Sequence, residues 1–191
     1  TRGVDNPTPI AVVPFGWSGP GASPEDVARI IDSDLARSGQ FSPVSRRDML
    51  SYPTRGSDLY FRDWRAINSD YILIGRYELA AAGNLKLSWQ LFDSTREQSV
   101  EEGVVTGKAS EVRMLAHKIA DEVYETLTGI PGAFATRLLY VSVTRNPSGK
   151  DFYRLTLADS DGARPIVLLE SREPILGPSW SPDGQEVAYV S

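Results

Sequence analysis

Ser18, Asp70 and His117 follow the chain order of an α/β-hydrolase triad, in which a serine attacks a carbonyl, a histidine moves its proton and a carboxylate orients the imidazole. Order alone is weak evidence, because a triad is defined by geometry. Gly16-Trp17-Ser18-Gly19-Pro20-Gly21 lies between a strand pattern and a helix pattern, where nucleophile elbows and phosphate loops also lie. An elbow needs Gly at position 20 and an immediate helix, yet Pro20 stands there and the helix is delayed past Ser23. A phosphate loop needs Lys and then Ser or Thr at the helix start, whereas Glu25 and Asp26 occupy that turn and would repel an anion. The loop reads as structural. Asp159-Ser160-Asp161-Gly162 opens like a calcium loop but lacks the downstream bidentate Glu, so it reads as a hairpin turn. Glu101 and Glu102 are adjacent on a strand and point to opposite faces, which prevents them from working as an acid/base pair. His117 lies beside an apolar helical stripe and reads as a half-buried or surface side chain.

With no Cys and one His, the sequence has neither a disulfide framework nor a zinc motif built on paired Cys or His, and no metal or cofactor site is expected. The lack of free thiols suits an oxidising compartment. A net charge of -5 argues against nucleic acid as a partner. The basic spots Arg46-Arg47 and Arg62/Arg65 sit beside Asp48 and Asp63, which offset them. No apolar run approaches the roughly 20 residues that cross a bilayer, and Thr1-Arg2-Gly3-Val4-Asp5 is not a signal peptide.

The elements that would position these residues fall into two groups. Ile10 to Phe15 predicts a strand buried on both faces, and Ser23-Pro24-Glu25-Asp26 predicts a helix start with Ser23 as N-cap. Val27, Ile30, Ile31 and Leu35 form one stripe of that helix, which Gly39 ends. Short strands follow at Phe41 to Val44 and Tyr71 to Ile74, with a short helix at Asp63 to Ile67. Leu85, Leu87, Trp89 and Leu91 alternate with polar residues, and a strand from Gln98 to Thr106 completes an antiparallel meander. A second helix, capped by Ser110, carries Val112, Leu115, Ala116, Ile119, Val123 and Leu127 on one face and stops at Gly129. After Gly132 only short strands and turns remain: Leu138 to Val143, Phe152 to Leu157 and Ile166 to Leu169. Trp89 and Trp180 are expected in the core, and Trp17 and Trp64 at a partner surface. The fold class is therefore α/β, a mixed sheet packed by two helices, followed by the first blade of a β-propeller. The division is 1–131 for the α/β domain with a mobile N-terminal segment and 136–191 for the start of the propeller.

The propeller rests on Trp180-Ser181-Pro182-Asp183-Gly184, in which Pro182 fits i+1 and Gly184 i+3 of a type I turn between two strands. With Gly3-Val4-Asp5, Pro9 to Phe15, Gly19-Pro20-Gly21-Ala22, Pro24-Glu25-Asp26, Leu127-Thr128-Gly129-Ile130 and Gly132-Ala133-Phe134, this string makes the chain resemble the TolB family of the bacterial Tol-Pal envelope system. The resemblance covers essentially the whole chain. It implies a non-catalytic monomer, exported to the periplasm by a cleaved signal peptide, with a six-bladed propeller. It further implies that the N-terminal segment, here Thr1, Arg2, Gly3, Val4 and Asp5, binds the C-terminal domain of TolA, and that the propeller binds the lipoprotein Pal and is exploited by colicins. Against the family pattern this chain begins several residues inside the mature protein and lacks nearly all the Pal-binding blades. A hydrolase or peptidase associated with a propeller is the alternative, since the same blade motif decorates peptidases.

Overall fold

The computed structural model of the chain describes residues 6–147, 149 and 151–191. Two compact units are present, one ending at Phe134 and the other spanning Ala135–Ser191. In the first, β1 (Thr8–Val12), β2 (Gly16–Ser18), α1 (Val27–Arg37), β3 (Phe41–Pro43), α2 (Phe61–Ala66), β4 (Tyr71–Leu79), β5 (Asn84–Asp93), β6 (Gln98–Lys108) and α3 (Val112–Thr128) follow in order. They build one six-stranded sheet in the order β3-β1-β4-β5-β6, with β2 also paired to β4. β1 runs parallel to β3 and β4, and β4, β5 and β6 form an antiparallel meander, so the sheet is mixed.

Residue alternation explains the layering. Ile10, Val12, Leu73, Leu85, Leu87, Trp89 and Leu91 pack one face of the sheet against α1 and α3, through Val27, Ile31, Leu35, Leu115, Ile119 and Val123. Ala11, Val13, Ile72, Ile74 and Phe92 face the other way, onto Met49, Leu59 and Trp64. Burying each such aliphatic side chain contributes about 1.5–3 kcal/mol, which outweighs the modest strand propensity of any single residue. Gly75 and Gly103 flank Trp89 in one cross-strand row. A Cβ at Gly75 would lie 2.4 Å from the Phe15 ring, and one at Gly103 2.7 Å from the Trp89 indole, so both glycines make room for aromatic rings.

Several expectations are revised. The first strand stops at Val12, and the glycine-rich segment after it contributes β2, which pairs Gly16, Trp17 and Ser18 with Arg76, Tyr77 and Glu78. α1 is capped by Asp26, whose carboxylate accepts the Arg29 N–H at 3.1 Å. Ser23 is not the cap; its hydroxyl, beside that of Tyr77, donates to the Glu25 carbonyl at 2.6 Å. α3 starts after a 3-10 turn at Ala109–Glu111 containing Ser110, and its N-cap residue Glu111 makes no side-chain cap. The short helix α2 begins two residues earlier than Asp63.

The second unit contains β7 (Arg137–Thr144), β8 (Phe152–Asp159) and β9 (Ile166–Ser171) in one antiparallel sheet, and β10 (Leu176–Trp180) and β11 (Val187–Val190) in a hairpin. Asp159 to Gly162 is the β8–β9 turn, with Gly162 at φ 81° and its N–H on the Asp159 carbonyl at 2.8 Å. Gly184, at φ 68°, donates to the Ser181 carbonyl at 2.9 Å and closes the turn that Pro182 starts. Trp180 is only half-buried, because its hairpin is a separate two-stranded sheet.

Candidate functional site

The three hydrolase-like residues are not assembled. His117 is fully buried, and its Nδ1 lies 2.5 Å from Asp34 Oδ2. A carboxylate only accepts, so Nδ1 carries the hydrogen and donates it. Asp34, also fully buried, accepts a second bond from Arg37 Nη2 at 2.7 Å. The imidazole is thus neither half-buried nor at the surface: Asp34 of α1 gives it a partner inside the helix layer, and Asp70 is not that partner. Ser18 stands beside Glu78 in the β2–β4 ladder, outside the helix layer that holds His117.

The glycine-rich loop is locked by aromatic packing. The Trp17 ring lies 5.0 Å from Tyr77, and its Nε1 donates to the Gly21 carbonyl at 3.2 Å. A Cβ at Gly19 would fall 2.0 Å from the Trp17 ring, so that glycine serves ring packing. Tyr77 donates to the Glu25 carbonyl at 2.7 Å and burial raises its phenol above the usual range, which keeps it a donor. Asp26, beside this loop, is held below the usual carboxylate range by a two-pronged bond from Arg46 at 2.6 and 2.7 Å. Of the basic spots that the sequence places beside Asp48 and Asp63, Arg62 lies 3.9 Å from Asp63, while Arg46 pairs with Asp26 and Arg65 with Glu97, the latter at 2.5 Å.

What the structure offers a partner is surface. Thr1, Arg2, Gly3, Val4 and Asp5 lie outside the described residues; the chain enters the sheet at Thr8, next to Phe41 of β3. Trp64, expected at a partner surface, is 1 % exposed and belongs to the second core, while Trp17 is half-buried on Tyr77. The sheet face opposite α3 carries an open cleft of ≈ 420 Å³ lined by Thr54, Arg76, Lys86, Ser88, Gln90 and Glu102. Its charges are mixed, so it favours no single ligand charge. In the second unit Leu138, Val143, Ile166, Val167, Leu176 and Val190 are all 45 % or more exposed, spread over both faces of the β7-β8-β9 sheet and the β10-β11 hairpin. Neither feature is a property of a local string, which is why the sequence does not point to them. Among the described residues no helix is long and apolar enough to cross a membrane.

Residues 1–100 match the family described as TolB amino-terminal domain. The chain belongs to the TolB family. Residues 124–191 match the TolB beta propeller domain, which accounts for the sheets of the second unit. The Tol-Pal system protein TolB of Pseudomonas fluorescens strain Pf0-1 is 47% identical over 191 residues, 100% of this chain and 44% of the relative. That of Pseudomonas entomophila strain L48 is 48% identical with the same coverage. The crystal structure of TolB from Acinetobacter baumannii superposes with a TM-score of 0.81 at 35% identity, over 98% of this chain and 44% of that one. The chain therefore spans less than half the length of the curated relatives it matches.

Proposed function

We propose that the chain works as part of a non-catalytic periplasmic adaptor of the Tol-Pal system. In this reading Thr1, Arg2, Gly3, Val4 and Asp5 belong to a segment that binds the C-terminal domain of TolA, and the propeller binds Pal and colicins. The role is to support outer-membrane integrity and constriction during cell division. The functional division falls between 1–131 and 136–191, the protein acts as a monomer, and the reading calls for no cofactor, metal or nucleic acid. One observation supports it above the rest: a TolB amino-terminal domain and a TolB propeller match successive parts of the same chain.

The physics of the tail fits such a role. An extended segment can add to a partner's sheet edge, gaining backbone hydrogen bonds at the cost of ordering a free end. If Pal favours a docked state of the tail, it lowers the fraction available to TolA by mass action. The test is capture of the complete mature protein, with and without Thr1 to Asp5, on immobilised TolA C-terminal domain and on Pal. Removal of the segment is expected to abolish TolA capture and spare Pal. Equal TolA capture by both forms overturns the reading.

A further inference from the structure

We propose that the outer edge of β6 is a separate docking site that takes an extended, lysine- or arginine-bearing segment of a partner protein as an added strand. This goes beyond the adaptor reading and does not depend on it. β6 is the longest strand of its sheet, stands at one end of the strand order, and among the described residues pairs only with β5. The sheet's other end is β3, three residues long, which offers almost no template. Alternate backbone N–H and C=O groups of β6 therefore point outward, with no strand among the described residues to meet them.

Proteins usually blunt such an edge with charged side chains, a bulge, a proline, a very short strand or a covering element, and in β6 the charges and a bulge are present, the bulge confined to its first residues. β6 has no proline, and all but three of its residues are exposed. Its one irregularity lies opposite Leu91 and Phe92; from Glu101 to Lys108 the register with β5 is unbroken.

Charge selects the occupant. On the helix side, an incoming residue meets Glu101 and the nearby Glu122 of α3. Burial holds the Glu122 carboxyl above the usual range, and the charges of Asp121 and Glu101 push it the same way. On the open side it meets Glu102, oriented by the Gln90 amide at 2.9 Å, and Val104, which is 56% exposed. Cations on the added strand relieve the carboxylate repulsion on either face, and an apolar residue covers Val104. An acidic strand, or a second β6 with its own paired glutamates, faces like charge.

The probe is an amidated heptapeptide of alternating lysine and valine, titrated into the ¹⁵N-labelled chain. Expected are slowed exchange and shifted resonances at alternate amides from Glu101 to Lys108, and binding about tenfold weaker in Glu101→Lys. Two further peptides, N-methylated on the lysines or on the valines, carry the same charge but each loses one edge's donors. One of them is expected to lose binding. Equal binding by both, equal binding of a glutamate–valine peptide, or perturbation confined to other residues overturns the proposal. So does self-association of the chain through β6 without peptide. Since Glu101 is exposed and the other comparisons use the unmodified chain, misfolding does not mask the answer.

Discussion

Replacing Asp34 with Ala tests whether the buried Asp34–His117 pair clamps α1 to α3. Both side chains are fully buried, and the Nδ1 to Oδ2 separation of 2.5 Å leaves the imidazole N–H dependent on that one carboxylate. Removing the carboxylate leaves a buried N–H without its acceptor and costs about 1–3 kcal/mol. Arg37 adds little to this figure, because its side chain is 41% exposed and water screens the contact. With a urea slope of about 2 kcal/mol/M, the expected fall in midpoint is about 0.5–1.5 M. The fluorescence of Trp64 and Trp89, both buried in the first unit, follows the transition. Replacing both residues at once, Asp34→Leu with His117→Leu, removes the polar groups together and is expected to recover most of the loss. A fall below about 0.5 M for Asp34→Ala, or single losses that simply add in the double variant, refutes the clamp.

Trp64 Nε1 is buried with no hydrogen-bond partner among the described residues, so Trp64→Phe removes a desolvated donor along with some packing. Its cost in urea denaturation is expected to stay below the ~3–5 kcal/mol of Trp64→Ala, and equal costs contradict this. Glu122 accepts from Trp89 Nε1 at 3.1 Å, and burial raises its carboxyl above 4.5. A folded value above the unfolded one means that its contribution to stability falls as pH rises from 4.5 through the raised value. Glu122→Gln keeps the acceptor without the charge, so melting temperatures are expected to match wild type at about pH 4 and exceed it at about pH 7; a difference independent of pH refutes the assignment.

The elements visible in the sequence are those whose burial is written in their own spacing. Leu85, Leu87, Trp89 and Leu91 alternate and are at most 2% exposed, and the stripes of α1 and α3 meet that face as their periodicity predicts. Elements that depend on distant residues stay hidden. β2 exists because β4 offers an edge and Tyr77 a ring for Trp17, and a glycine-rich string shows neither. The partner of His117 lies 83 positions away, and Trp64 is enclosed by a segment with no hydrophobic period. β6 itself is legible, but its place at the end of the sheet is not, since strand order is a property of the whole fold. The TolA-binding segment assigned to Thr1 to Asp5 comes from resemblance alone and lies outside the described residues.

β1 sits between β3 and β4, parallel to both, with Ile10, Ala11 and Val12 almost wholly buried. A tension drawn along the chain from its leading end would load the hydrogen bonds on both flanks of that strand together, in shear, instead of peeling them singly. Such a strand yields only when many bonds fail at once, so the sheet is built to hold under a pull that would unzip a terminal hairpin.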